Sequence, residues 1–233
     1  MQYSNPYIEL CLEGSSSIFK GLSQIEKEAI TQNHTYAIFK KGGHLFFVGD
    51  KPRGLICLAS GKVKVYKIGV GGREQIIKMV KQQGIIGYRT LFNENIYSFS
   101  AAAIEETAIC IFDKNTLVKI LKKNADLALK FIKVLSDELS ASNHRTISLT
   151  QKHVRGRMAE ALLLLRDTYG LEVDGKTLRV TLSREDLSSL SNMTTSNAIR
   201  TLSNMASEGL IKTEKRKIIL NDIDGLMRIS EAG

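Results

Sequence analysis

The sequence predicts an α+β protein in three parts: an N-terminal antiparallel β-roll (a jelly-roll barrel), a long dimerisation helix and a C-terminal winged helix-turn-helix. Three observations predict this fold. Short apolar segments separated by turn residues fill the first half of the chain, a heptad-spaced helical segment follows, and two short helices precede a basic strand-forming segment. We place the three parts at residues 1–123, 124–152 and 153–233.

Length and composition fit a globular protein of two domains. The chain has 233 residues, of which 43% are hydrophobic and two are proline. This composition supports well-formed cores rather than disordered linkers. The sequence has no apolar run of about 18 residues, and its first residues lack the basic and apolar stretches of a secretion signal. We therefore expect a cytoplasmic protein.

The cysteines and histidines predict neither disulfides nor a metal site. Cys11, Cys57 and Cys110 are odd in number and far apart in the sequence, and the four histidines are equally dispersed. Neither set has the spacing of a disulfide framework, a zinc site or an iron–sulfur site. We interpret the three cysteines as reduced thiols.

The formal net charge of +9 favours a polyanionic partner. The charge is not concentrated in the C-terminal part, however. Residues 151–233 hold 13 basic and 11 acidic residues, a net charge of +2, which leaves +7 for residues 1–150. A nucleic-acid site would therefore depend on a local basic patch.

The region from residue 36 to residue 112 has the pattern of a β-roll. Val63 and Val65 alternate with lysines, which indicates a strand with one face in water. Glycine-containing turns separate the candidate strands. These are residues 37–39, 45–48, 55–59, 62–66, 75–80 and 101–112. Upstream, Ser23 and Glu26 have the spacing of a capping box at the start of a short helix.

A long helical segment is predicted from about residue 114 to residue 153. Its seam positions (128, 132, 135, 139, 142, 146 and 149) repeat at heptad spacing. We expect the central apolar residues, Ile132, Leu135 and Leu139, to form the interface of a two-fold dimer. Packing of this helix onto its own barrel is the alternative.

Residues 182–211 predict two short helices joined by a tight turn. Ser183 and Asp186 have the spacing of a capping box, Thr194 or Thr195 can cap the second helix, and Gly209 ends it. A basic strand-forming segment follows, as expected of a β-wing beside a phosphate backbone. Further helices are predicted at residues 154–169 and 222–229.

The outward side of the second helix carries hydrogen-bond donors and no acidic residue, as in a DNA-reading helix. The candidate DNA-binding residues are Thr195, Ser196, Arg200 and Ser203 on this helix, with Lys215 and Arg216 in the wing. The alternative is a small-molecule-binding or protein-interaction module whose winged helix does not read DNA; Arg200 and the basic wing argue against it. The sequence contains no catalytic Ser-His-Asp or Cys-His pattern and no P-loop, so we do not expect an enzyme.

The order of these parts resembles the Crp/Fnr family of bacterial transcription regulators. The matching segments are residues 19–23, 58–66, 83–92, 156–165 and 182–211. The resemblance implies a homodimer that binds a palindromic operator in double-stranded DNA. It also implies a cyclic-nucleotide-binding-like sensor domain at residues 1–123, and a contact surface for RNA polymerase in the exposed turn at residues 168–176.

The sensor motif of the family is degenerate in this sequence. Cyclic-nucleotide-binding members use Gly-Glu-x-x-Leu to open a short helix and then an Arg-Ser or Arg-Thr pair, which together bind ribose and phosphate. Gly87 remains, but Tyr88 stands at the Glu position, and Ser98 and Phe99 stand at the pair. Losing a bidentate Arg–phosphate contact costs roughly 2–5 kcal/mol. We therefore do not expect cAMP or cGMP to bind in the usual way.

The remaining pocket residues leave the effector unknown. Arg89 offers a substitute charge, although its position next to Tyr88 predicts that it points elsewhere. Ser142 and Asn143 stand where family members contact the base, or they form a polar break in the helical seam. Either the barrel senses a non-nucleotide ligand through a pocket made more apolar by Tyr88 and Phe99, or the protein is in its DNA-binding form without ligand.

Other branches of the family bind an iron–sulfur cluster or haem. Cys11 alone cannot hold an iron–sulfur cluster. Haem stays open, with His44 or Met79 as conceivable ligands, although a lone histidine in a β-segment is more often structural.

The resemblance also predicts an altered operator. Well-studied members read G·C pairs with Arg, Glu and Arg on the second helix, where this sequence has Thr195, Ser196 and Arg200. Arg200 retains a bidentate guanine contact, worth about 1–3 kcal/mol of discrimination. We expect half-sites about one DNA turn apart, with a sequence that differs from the family consensus.

Overall fold

A computed structural model describes residues 5–92 and 96–233 of the chain. The chain forms two compact units. The first comprises Met1–Lys67 and Lys78–Glu138, and the second comprises Ile68–Ile77 and Leu139–Gly233. Mixed helices and sheets confirm the predicted α+β class, with a β-roll in the first unit and a winged helix-turn-helix in the second.

Two four-stranded sheets form the β-roll. Their strand orders are β1-β8-β3-β6 and β2-β7-β4-β5. The strands are β1 (His34–Phe39), β2 (His44–Phe46), β3 (Leu55–Ser60), β4 (Val63–Ile68), β5 (Glu74–Val80), β6 (Ile85–Ile86), β7 (Ser100–Ala103) and β8 (Thr107–Phe112). Leu58, Val63 and Ile109 are fully buried in the cluster between the sheets, where alternate side chains of facing strands meet.

The single strand predicted at residues 101–112 is wrong, because this segment forms two strands, β7 and β8. The turn between them is closed by the Thr107 hydroxyl, which donates to the carbonyl oxygens of Glu105 (3.0 Å) and Lys62 (3.2 Å). Apolar residues stand on both sides of this turn, so the sequence pattern does not indicate where one strand ends and the next begins. The two-residue strand β6 was not predicted because it is too short to show a period.

Helix α1 (Pro6–Glu13) was also not predicted, and it covers the outer face of the β3–β8 pair. Cys57 and Cys110 lie opposite each other in the β3–β8 register, and the Cys11 thiol donates to the Cys57 carbonyl oxygen at 3.6 Å. All three cysteines are fully buried. Thus the three cysteines, far apart in the sequence, form one cluster under α1, as free thiols. The hydrogen bond to Cys11 and then burial raise the pKa of Cys110.

Helix α2 (Gln24–Gln32) starts with the predicted capping box, which confirms the pairing of Ser23 with Glu26. The helix predicted from residue 114 to residue 153 is wrong as one element, since it divides into α4 (Lys114–Leu121) and α5 (Ala125–Gln151). Asn124 causes the break, because its side-chain oxygen accepts from Leu127 N (2.9 Å) and caps the new helix. A short helix α3 (Arg89–Phe92) follows β6.

The C-terminal part of the second unit is a helical core with a two-stranded wing. Its elements are α6 (Val154–Tyr169), α7 (Arg184–Leu190), α8 (Thr195–Ser207), β9 (Ile211–Glu214), β10 (Lys217–Leu220) and α9 (Ile223–Ala232). Helix α6 packs against α8 and α9. A Cβ atom at Gly156 would lie 2.6 Å from the Gly233 carbonyl carbon, so only glycine permits the close approach of the α9 end to α6.

None of the helices in residues 5–92 and 96–233 combines the length and apolar character needed to cross a bilayer.

Candidate functional site

Helices α7 and α8 form the predicted helix-turn-helix, and local capping fixes both starts. The Ser183 and Asp186 side chains form the capping box of α7, and Thr194 caps α8 by accepting from Asn197 N (3.2 Å). The apolar sides of the two helices face inward. Their buried residues are Leu187, Leu190, Ala198, Leu202 and Met205. Gly209, with φ +78°, follows the end of α8, as predicted.

Arg157 holds the turn between these helices, a role that the sequence did not suggest. Its guanidinium donates to the carbonyl oxygens of Ser191 (3.1 Å), Asn192 (3.1 Å) and Lys152 (3.0 Å). Asn192 has φ +50°, a conformation that asparagine adopts more readily than most residues. Arg157 lies in the segment that resembles the family, but nothing in its spacing points to carbonyl oxygens 34 and 35 positions away.

The outward face of α8 is exposed and mostly polar, with Ile199 as an exposed apolar residue. Ser196, Arg200 and Ser203 are exposed, whereas Thr195 is half-buried and its hydroxyl lies 3.3 Å from the Ser188 hydroxyl. Arg200 Nη2 donates to Asn197 Oδ1 at 2.8 Å, a contact within one helical turn that directs the guanidinium along the helix surface. The structure thus presents three of the four predicted α8 residues to solvent, and Thr195 only in part.

The wing carries the predicted basic side chains at its tip. Lys215 has φ +55° in the turn between β9 and β10, and Lys215, Arg216 and Lys217 are exposed. Lys212 differs from them because its ammonium lies 2.7 Å from the Glu214 carboxylate, which raises the pKa of Lys212. Lys215 and Arg216 therefore form the cationic tip of the wing.

The part of the β-roll around Tyr88, where the sequence predicts the sensor pocket, holds a polar cluster that the sequence did not predict. Tyr88 is buried, and Lys78 Nζ lies 5.2 Å from its ring centroid and 2.5 Å from Glu138 Oε1. Burial first, and then the charge and hydrogen bond of Glu138, raise the pKa of Tyr88, whereas Arg89 lowers it. Glu138 and Lys78 were missed because they lie 50 and 10 residues from Tyr88 in the chain.

Four other residues of the predicted pocket, Gly87, Arg89, Ser98 and Phe99, belong to the first unit. Gly87, with φ +82°, starts the turn into α3, and its carbonyl oxygen accepts from the Thr90 hydroxyl at 2.6 Å. The Arg89 guanidinium lies 5.3 Å from the Phe99 ring centroid, a cation–π geometry. Ser98 and Phe99 are half-buried. Arg89 is exposed, and its charge and side-chain hydrogen bond act on Tyr88.

Helix α5 exposes an apolar stripe. Ile132 is 59% exposed, Leu139 is 64% exposed and Leu135 is 36% exposed. Ser142 and Asn143, predicted to contact an effector base, are exposed on the same helix. The stripe contains the three residues predicted for the dimer interface.

The residues considered as haem ligands have other surroundings. His44 stacks on Phe47 with ring centroids 4.4 Å apart, and its Nδ1 lies 3.2 Å from the Tyr66 hydroxyl. Met79 is buried. Within the described ranges, no three side chains of His, Cys, Asp or Glu are grouped so that they could hold a metal ion.

Two family models match the chain. The cyclic nucleotide-binding domain matches residues 37–124, and the Crp-like helix-turn-helix domain matches residues 156–229. A CRP-like cAMP-activated global transcriptional regulator of Mycobacterium tuberculosis is 26% identical over 215 residues, which cover 91% of this chain and 96% of that protein. An anaerobic regulatory protein of Bacillus subtilis is 27% identical, with coverage of 91% and 87%.

Solved structures share the fold. FixK2 from Bradyrhizobium japonicum gives a TM-score of 0.75 at 22% identity, with 84% of this chain and 96% of that chain covered. A CRP/FNR-family transcriptional regulator from Thermus thermophilus gives 0.69 at 25% identity, with 84% and 98% covered. The two family models together span most of the chain, and the fold agrees with them. The chain therefore belongs to the Crp/Fnr family of transcription regulators and has a helix-turn-helix DNA-binding domain.

Proposed function

We propose that this regulator acts in the cytoplasm as a homodimer that reads a palindromic operator and does so without a cyclic nucleotide. The observation that carries the DNA-reading part is the exposed, acid-free face of α8 next to a cationic wing tip. An α-helix of this kind fits the major groove, while wing lysines neutralise phosphates. No catalytic role is proposed.

Arg200 is the base-reading residue of this proposal. Its guanidinium is exposed, and when it turns from Asn197 towards the groove its two parallel donors can bind O6 and N7 of one guanine. Ser196 and Ser203 are short donors with little base preference, and Thr195 is partly committed to Ser188. One strongly read base pair in each half-site, surrounded by weakly read positions, follows from this arrangement.

The dimer interface of the proposal is the exposed stripe of α5. An apolar row with side chains 36% to 64% exposed is costly in water and is buried when two copies pair along it. A two-fold dimer also fits the palindromic operator, because each copy then reads one half-site.

In this proposal, the positive charge at the sensor site is balanced by a side chain of the protein itself. In a nucleotide-bound site an anion would balance nearby cations; here the Glu138 carboxylate already pairs with Lys78 beside Tyr88. A phosphate at this position would meet Glu138 and the buried Tyr88 ring and would find Ser98 where family members carry Arg. The activity named for the M. tuberculosis relative is therefore not extended to this chain.

By resemblance, we also propose that the turn at residues 168–176 contacts RNA polymerase. The Val173 side chain is fully exposed there, at 101%. Asp174 fixes the turn by accepting from Thr177 N at 2.8 Å.

Selection from a random DNA pool tests the DNA-reading proposal. The purified protein, without added nucleotide, should enrich a palindrome with two half-sites about one helical turn apart. Anisotropy with the enriched duplex, and with a shuffled duplex of equal composition as the control, should show a preference that weakens steeply with salt. Equal affinity for both duplexes would contradict sequence-specific reading.

A further inference from the structure

A cavity of about 680 Å³ opens into the β-roll where the β2–β3 loop crosses it, and all of its lining residues belong to the first unit. Apolar side chains form its inner walls, and residues 50–53 add polar surface. Ala37 and Phe39 of β1 line it beside Ile109 and Ile111 of the adjacent strand β8. Phe46 stacks on Tyr97 with ring centroids 3.7 Å apart. The volume is within the range of natural small-molecule sites, roughly 300–1,000 Å³. The lining includes none of the residues of the Tyr88–Glu138–Lys78 cluster.

The mouth of this cavity carries an excess of positive charge. Lys51 and Arg53 line it together with one carboxylate, that of Asp50. Asp50 Oδ2 already accepts from Phe47 N at 2.8 Å, which holds the carboxylate in its own turn. Within residues 5–92 and 96–233, no hydrogen bond or ion pair engages the exposed Arg53 guanidinium. A cavity with apolar inner side chains and an available guanidinium at its mouth matches an anion with an apolar tail.

Tyr97 connects the cavity to the turn at Gly87. Tyr97 N donates to Asp50 O (2.9 Å), and Gly49 N donates to Tyr97 O (2.8 Å), so two backbone hydrogen bonds join Tyr97 to the β2–β3 loop. On the other side, a Cβ atom at Gly87 would lie 3.1 Å from Tyr97 Cε1. The Tyr97 ring therefore lies next to the backbone at Gly87, which leads into Tyr88.

We infer that this cavity binds a small monocarboxylate with an apolar tail, with Arg53 on the carboxylate and the tail along the Phe46–Tyr97 stack. Binding of this ligand does not depend on the proposed function, whereas an effect of the ligand on operator affinity rests on it.

Calorimetry with octanoate and its uncharged isostere octanamide tests the inference. Octanoate should bind once per chain, and octanamide should bind at least about tenfold more weakly, since it lacks the charge that Arg53 recognises. Arg53→Gln should reduce octanoate affinity to about that of octanamide. Arg73→Gln, which removes an exposed guanidinium elsewhere, is the matched control and should change nothing.

The apolar part of the site has its own variant. Ala37→Leu fills the cavity and should weaken octanoate and octanamide alike, while an unchanged melting temperature verifies the fold. No octanoate binding at about 5 mM, or equal binding by wild type and Arg53→Gln, would overturn the inference. Operator binding is measured on the same samples without ligand, so a failed ligand site is distinguishable from a failed DNA site.

Discussion

The helix-turn-helix and the sensor end of the β-roll differ in how their structure is determined. In the helix-turn-helix, residues three positions apart, such as Ser183 and Asp186, fix each helix start. In the sensor, Tyr88 lies beside Lys78 and Glu138, which reach it from other elements. A helix-turn-helix fixed by neighbouring residues can keep its backbone structure when distant parts of the sequence change. A pocket built from distant residues changes its charges and contacts when any one of them is substituted.

The largest expected effect comes from a substitution that breaks the proposed dimer. Leu135→Asp places a charge in the proposed interface, so light scattering should show monomers and operator affinity should fall by about 100-fold or more, because each monomer contacts only one half-site. Ile25→Asp is the control, since Ile25 is an apolar residue on α2 that is 79% exposed and outside the stripe. A dimeric Leu135→Asp protein would refute the interface.

The next effect tests base reading by α8. Arg200→Ala should lose about 1–3 kcal/mol, roughly 5- to 150-fold, at one base pair of each half-site. Binding to an operator already mutated at that base pair should hardly change. The measurement is a competition assay over all single-base variants of the operator. Equal losses on every sequence would assign Arg200 to phosphate instead.

The sensor region should respond more weakly. Glu138→Gln removes the anion next to Lys78 and should weaken nucleotide-free operator binding by about tenfold, which corresponds to about 1.4 kcal/mol. Glu105→Gln is the matched control, because Glu105 pairs with Lys62 at 2.7 Å in the same unit. If the two variants bind the operator equally well, the Glu138 cluster does not support the DNA-binding form.

The wing should give a smaller, sequence-independent effect. Lys215→Ala should weaken binding to operator and shuffled DNA by the same factor and reduce the slope of log affinity against log salt by about one. Lys212→Ala should change the slope less, because Lys212 is paired with Glu214. A loss confined to the operator would show that Lys215 reads bases.

The smallest effect concerns the turn at residues 168–176. The Thr177 hydroxyl, then Thr177 N and Lys176 N, donate to Asp174 and lower its pKa to about 2. A lowered carboxyl pKa stabilises the folded turn at pH values above the pKa of the unfolded chain. This contribution is lost as the pH falls through the pKa of the folded state. NMR titration should place the pKa of Asp174 well below its usual range, and Thr177→Val should raise it. Unchanged titration in Thr177→Val would disprove the hydroxyl contact.

The same contrast explains what the sequence could predict. Capping residues, the Gly209 stop and the alternation of Val63 and Val65 depend on neighbouring residues, so the helix-turn-helix and several strands were predicted. The Asn124 break was missed because one residue in a continuous helical pattern gives no periodic signal. The cysteine cluster and the Tyr88–Glu138 contact depend on strand register and packing across the β-roll. No short-range pattern records them.

The most direct measurement is operator binding by the nucleotide-free protein, followed by fluorescence anisotropy with and without cAMP at about 1 mM. We predict tight, salt-dependent and sequence-specific binding that cAMP leaves unchanged, because Tyr88, Lys78 and Glu138 already complete the sensor. Specific binding that appears only when cAMP is added would contradict the account.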